Sequence, residues 1–162
     1  MVSETAIWSY LEEVPDPEVP VLSVIDLGIV RAVKVISDTE VEVTITPTYS
    51  GCPAMNYIEK NIREVLIEKG MKTVRFHTAL SPAWTTDWMS EAGKKKLLAY
   101  GIAPPVNEAD KLTLFGESPV VKCPQCGSEN TKMLSQFGST ACKALYQCND
   151  CLEPFDYFKC LR

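Results

Sequence analysis

Thr48-Tyr49-Ser50-Gly51-Cys52-Pro53 lies where a run with the period of a strand hands over to a run with the period of a helix. Upstream, Val41, Val43 and Ile45 alternate with Glu42, Thr44 and Thr46, the pattern of a half-buried strand. Downstream, Ile58, Ile62, Val65 and Leu66 fall at helical spacing, and Gly70 closes the run as a C′ residue. Pro53 suits a first helical position, which puts Cys52 at or near the cap. A thiol there faces unpaired backbone N–H groups and the positive end of the helix dipole, and both favour thiolate. Gly51 allows a partner or a metal to approach the backbone closely. Free cysteine is also among the most buried residue types, so packing stands beside a working thiol as a reading of Cys52.

Before this stretch, Ser3 reads as the N-cap of a helix with Ile7, Leu11 and Val14 on one face. Pro15, Pro17 and Pro20 end that helix and are expected to hold Asp16-Pro17-Glu18 extended and exposed. Asp26 stands alone among apolar neighbours, so it should cap a turn or face a site. Residues 30–36 and 41–47 read as a hairpin through Ser37-Asp38-Thr39. The Cys52 helix then crosses to a strand at 73–80, with Val74, Phe76 and Leu80 on one face and the lone histidine, His77, on the other. The resulting class is α+β: a small mixed sheet with helices on one face.

Trp84 and Trp88 lie four apart, the spacing of one helical face. Packing is the expectation for Trp84, and Trp88 is open between packing and an interface anchor. A helix is expected from a Ser90 cap to Tyr100, with Lys94, Lys95 and Lys96 on its wet side. Residues 104–118 read as a linker, with a short strand at 112–115. The division is therefore 1–103 for the α+β domain and 119–162 for a small all-β domain.

That second domain carries Cys123-Pro124-Gln125-Cys126 and Cys148-Asn149-Asp150-Cys151. Each C-x-x-C presents two sulfurs on one tight turn, and two such knuckles complete a tetrahedron. Strands are expected within 132–137, 143–147 and 154–159. About 44 residues bury little core, so a structural metal is the expected staple. Zinc suits a thiolate-only site, with Cys123, Cys126, Cys148 and Cys151 as its ligands. Cys142 and Cys160 are left over, either packed or forming a further thiol site. The spacing Cys142-x5-Cys148-x2-Cys151 is one residue from a plant-type ferredoxin pattern, which keeps an iron–sulfur cluster open as an alternative.

The chain has 162 residues, 46% hydrophobic content and a formal net charge of −5. This composition supports a core and argues against a polyanion as main partner. From Pro119 onward five Lys/Arg face four Asp/Glu, so nucleic acid is not expected at the ribbon. The sequence shows neither an apolar run of membrane-spanning length nor a secretory signal pattern. Six of the seven cysteines lie between Cys123 and Cys160, which favours metal in a reducing cytoplasm. Repeated Glu-x-x-His ligands for a di-iron site and a G-x-G-x-x-G nucleotide turn are both missing.

Asp16-Pro17-Glu18, Asp26-Leu27-Gly28, the run from Thr46 to Pro53, and Ser81-Pro82-Ala83-Trp84 resemble the small domain of iron–sulfur assembly factors of the SUF-associated and cytosolic-targeting type. Phe137-Gly138-Ser139-Thr140-Ala141-Cys142-Lys143-Ala144-Leu145-Tyr146 and Glu153-Pro154-Phe155-Asp156-Tyr157-Phe158-Lys159-Cys160 narrow it. They are similar to a family of accessory subunits of the multicomponent phenylacetyl-CoA epoxidase systems of bacterial phenylacetate degradation. The resemblance implies a non-catalytic factor that helps to install an iron–sulfur or di-iron centre in other subunits of that system, the reductase or the oxygenase.

On this reading Cys52, supported by Asp16, Glu18 and Asp26, holds or passes iron or a cluster transiently. Two other readings compete with it. In one, Cys52 is a nucleophile with His77 as its base. In the other, the chain is a structural adaptor that docks through the ribbon and the Trp84/Trp88 region. Whether the chain forms a homodimer is left open.

Overall fold

The structure, a computed structural model, describes residues 2–48, 54–105, 120–140 and 143–158. Its backbone divides into two compact units, Met1–Gly93 and Lys94–Leu161.

In the first unit Ser3 caps α1 (Glu4–Leu11) by accepting the Ala6 N–H at 3.2 Å, which satisfies one of the orphan donors of the first turn. Ile7, Leu11 and Val14 are all fully buried, as their spacing predicts. β1 (Val30–Ser37) and β2 (Glu40–Ile45) form an antiparallel hairpin, and β2 pairs in parallel with β3 (Thr73–Thr78). The sheet is therefore mixed, in the order β1-β2-β3. Val41, Val43 and Ile45 of β2 are fully buried while Glu42 and Thr44 between them are half-buried. On the outer face the register sets Glu42 between Lys34 and Arg75, and Arg75 Nη2 meets Glu40 Oε1 at 2.7 Å.

The helix α2 (Met55–Glu68) buries Ile58, Ile62 and Leu66. Its first i to i−4 bond runs from the Ile58 N–H to the Ala54 carbonyl at 2.9 Å. Ala54 stands at the cap position and makes no side-chain bond there, so the helix begins later than Pro53 suggests. At the other end Gly70 (φ +103°) donates to Ile67 O and Met71 donates to Leu66 O, each at 3.0 Å. These two bonds make a Schellman motif.

Three expectations are corrected. The segment after α1 is not extended and exposed. Asp16 donates its N–H to Leu22 O at 2.8 Å, Val24 donates to Val14 O at 3.0 Å, and Val19, Leu22 and Val24 are buried. The prolines set local φ angles, but the apolar side chains draw the loop inward and Asp16 goes with it. β3 is shorter than 73–80, ending at Thr78 and leaving Leu80 at 72% exposure. The tryptophans do not share a helix: Trp84 precedes a single 3-10 turn, Thr86–Trp88. Ser90 does cap α3 (Glu91–Tyr100), accepting the Gly93 N–H at 2.9 Å.

The second unit holds a four-stranded sheet in the order β4-β7-β6-β5. β5 (Thr131–Ser135), β6 (Lys143–Cys148) and β7 (Pro154–Phe158) are antiparallel neighbours. β4 (Ile102–Ala103) joins β7 in parallel. Two residues are too few to show a period, so β4 is not legible in the sequence. The strand expected at 112–115 and nearly all of the 104–118 linker lie outside the described residues.

Candidate functional site

The second unit gathers four sulfurs. Cys123, Cys126, Cys148 and Cys151 lie within 4.8 Å of one another, with Cys123 and Cys151 sulfurs at 3.7 Å and Cys126 and Cys148 at 3.6 Å. A disulfide needs about 2.05 Å, whereas a tetrahedron of zinc–sulfur bonds near 2.3 Å spaces its sulfurs about 3.8 Å apart. The cluster fits a tetrahedral metal and not a bonded pair. Donor chemistry selects zinc, because four thiolates by themselves close a tetrahedron around it. Cys148 and Cys151 are taken by this quartet, which removes two of the three sulfurs from the ferredoxin-like spacing. Cys142 and Cys160 lie outside the described residues.

Local folding explains the cluster. In both knuckles the first cysteine donates its N–H to the carbonyl five residues on: Cys123 to Ser128 at 2.9 Å, Cys148 to Glu153 at 3.0 Å. The residue after each second cysteine turns left-handed, Gly127 at φ +76° and Leu152 at φ +64°. Backbone N–H groups aim at sulfur, Gln125 at Cys123 (3.4 Å) and Cys151 at Cys148 (3.5 Å). Beneath the knuckles, Cys123 and Cys148 are buried with Ala103, Val121, Ala144, Tyr146, Phe155 and Tyr157, whereas Cys126 and Cys151 are exposed. Tyr146 lies 5.9 Å from Phe155 and 5.4 Å from Tyr157, ring centre to ring centre, within the range of favourable aromatic pairs.

The thiols titrate unequally. The N–H of Cys151 lowers the Cys148 thiol to about 7. Cys151 receives a lowering bond from the Glu153 N–H, yet desolvation and the neighbouring thiols push it up to about 12. One thiolate forms readily and a later one is resisted, a conflict that a divalent cation at the centre removes.

In the first unit the anticipated carboxylates are built into the loop. Asp16, 6% exposed, accepts the N–H groups of Glu18 (3.0 Å) and Val19 (2.7 Å) on Oδ2. The expected exposed carboxylate is therefore a buried turn cap, while Glu18 is half-buried. Asp26, 7% exposed, accepts the Ser23 N–H at 3.0 Å and the Ser90 hydroxyl at 3.1 Å, the turn-capping role its isolation suggests. Cys52 lies outside the described residues. His77 is exposed on β3, paired in register with Thr44.

Trp84 is 2% exposed and donates its indole N–H to Leu27 O at 2.8 Å. Burial removes it as a docking contact. Trp88 is half-buried, and the Arg31 guanidinium lies 3.7 Å from the centre of its ring. Gly28 (φ +73°) passes so close that a Cβ there would come within 2.6 Å of the Trp88 carbonyl oxygen. Sequence reasoning misses Arg31, since a strand-borne arginine carries no periodic signal.

Comparison with known proteins divides the chain in the same sense. The family described as "Iron-sulfur cluster assembly protein" matches residues 4–75, and the one described as "PaaD zinc beta ribbon domain" matches residues 107–159. An Escherichia coli protein named as a putative subunit of 1,2-phenylacetyl-CoA epoxidase is 48% identical over 155 residues, covering 96% of this chain and 92% of its own length. A Porphyromonas gingivalis protein named "Fe-S protein maturation auxiliary factor" is 40% identical over 96 residues, 59% of this chain and 90% of its own length. Among solved structures, a domain of unknown function (DUF59) from Bacillus anthracis superposes with a TM-score of 0.54 at 27% identity. That match covers 58% of this chain and 90% of that one.

Proposed function

This chain belongs to the family of that Escherichia coli epoxidase subunit, and on this premise we propose that it is an accessory factor of a phenylacetyl-CoA epoxidase system. It assists assembly of an iron–sulfur or di-iron centre in the catalytic subunits and performs no step of the oxygenation itself. The observation that carries this is the two-part likeness. Over 96% of its length the chain matches a protein named as a subunit of that system. Residues 4–75 match the iron–sulfur assembly family, and 59% of the chain matches a protein named as a maturation auxiliary factor.

In this reading the first unit does the work, and the second, which includes Ile102 and Ala103 of β4, keeps shape around zinc held by Cys123, Cys126, Cys148 and Cys151. Cys52 is the working atom. A single thiolate makes a labile ligand, better suited to passing iron than to storing it. Asp16 and Asp26 serve by fixing the preceding loop through their turn caps, and Glu18 is the carboxylate of that loop that joins Cys52 on iron. The reductase or the oxygenase is the partner, and the site of action is the cytoplasm.

The test is a reconstitution in cells that express the epoxidase subunits with this chain or its Cys52→Ala variant. The expected result is a several-fold loss of iron and of epoxidation activity in the isolated client. Full iron content with Cys52→Ala overturns the transfer role.

A second reading is favoured by the Arg31–Trp88 stack, a half-buried aromatic surface topped by a guanidinium. Such a surface suits docking to a protein partner. In the same cells, a silent Cys52→Ala together with loss of client co-purification in Trp88→Ala would replace the transfer role by an adaptor role.

A further inference from the structure

The two zinc knuckles are tied to each other by polar groups that are not ligands. Asp150 lies between the two cysteines of the second knuckle. Its Oδ2 accepts the Ser128 hydroxyl and its Oδ1 accepts the Asn130 side-chain N–H at 3.2 Å. Ser128 and Asn130 follow the first knuckle, and Asn130 also donates its backbone N–H to Ser128 Oγ at 3.0 Å. Asn149, the other residue between the cysteines, donates its backbone N–H to Asn130 O at 2.8 Å and its side-chain N–H to Asn130 Oδ1 at 3.0 Å. Four bonds thus run from the interior of one knuckle to the chain leaving the other.

This placement bears on how the metal leaves. Cys126 and Cys151 are exposed while Cys123 and Cys148 are buried, so solvent and chelators reach the site from one side. An ion held by two thiolates from each knuckle departs when the knuckles part. The polar bonds oppose that parting and are made by the protein alone. We propose that Asp150, with Ser128, Asn130 and Asn149, forms a positioning clasp that holds the knuckles at metal-binding distance with or without the ion. It thereby sets the rate of zinc release. The clasp rests on the reading of the four cysteines as a zinc site. Groups around a metal site that do not touch the ion commonly tune affinity by ten- to a hundredfold.

The experiment uses the full chain. Zinc content is measured first by elemental analysis, and release is then followed with a chromogenic chelator at fixed pH for the wild type, Asp150→Ala, Asn130→Ala and the double variant. The expected result is about one zinc per chain and release about tenfold faster in each single variant. The double variant should be little faster than either single one, since both break the same unit. Asp150→Asn keeps the shape and one acceptor oxygen, and should release at an intermediate rate. The cobalt-substituted variants should keep the absorption spectrum of a tetrahedral thiolate site at saturation, which separates faster release from loss of fold. A variant without that spectrum is replaced by the milder Ser128→Ala, which removes one of the four bonds and should release at an intermediate rate, faster than the wild type. A wild type without zinc overturns the metal reading itself. A wild type with zinc, together with unchanged or strictly additive release rates in the folded variants, overturns the clasp alone.

Discussion

Gly28 has a positive φ, and a Cβ there would meet the Trp88 carbonyl oxygen at 2.6 Å and the Trp88 Cβ at 2.9 Å. Neither neighbour is the far end of a flexible side chain, so neither can yield cheaply. Gly28→Ala should therefore cost at least about 2 kcal/mol, from the left-handed penalty of an L-residue plus the clash. A lowered urea midpoint at unchanged slope would report it. Asp26 is readable from sequence because a lone carboxylate in an apolar run must find donors. Asp16 is not, because flanking prolines suggest exposure, whereas Val19, Leu22 and Val24 decide the burial. Trp84 belongs to the core as its neighbours imply, but its helical spacing to Trp88 is a coincidence of a loop and a 3-10 turn.

Periods of two and 3.6 translate directly into elements. The alternation at Val41, Val43 and Ile45 is the buried face of β2, and Ile58, Ile62 and Leu66 are the buried face of α2. That face yields a paired prediction on one helix. Ile62→Ala, at a fully buried site, should destabilise by roughly 2–4 kcal/mol through lost burial and a residual cavity. Ile67→Ala, at a site 50% exposed, should change stability by less than about 1 kcal/mol. Equal midpoints in urea for the two variants would contradict the assigned face. The helix start is less legible than its face. Pro53 suits a first turn, but a proline preference names a permitted position and not the first hydrogen bond, which here begins at Ala54 O. The clasp is invisible at this level, because Ser128, Asn130, Asn149 and Asp150 read simply as turn formers beside cysteines.

Across the whole chain, the two units draw on different sources of stability. The first buries three fully covered side chains on α2 and three on β2; the second relies on a small aromatic cluster and the sulfur quartet. Chelation of zinc should therefore release amide protection in β6 and β7 while leaving β2 and α2 protected, as read by hydrogen exchange resolved by residue. Loss of protection in both units together would contradict this division. Acid should act like the chelator. Cys148 has a lowered thiol value, about 7 against an ordinary 9.0, so its thiolate favours the fold in full above about pH 9 and the benefit is lost as pH falls from there through about 7. Protons then compete with zinc for all four sulfurs, and zinc affinity should drop steeply between about pH 7 and 5.

The two-residue strand β4 has a practical bearing. Ile102 and Ala103 lie alongside Asp156 and Tyr157 of β7, well upstream of the first knuckle. A fragment trimmed to begin at residue 119 would strip β7 of those partners and leave a raw row of amide and carbonyl groups along its margin, open to pairing with any chain nearby. Such a fragment would be prone to stick to itself at high concentration. A start ahead of Ile102 keeps that margin closed.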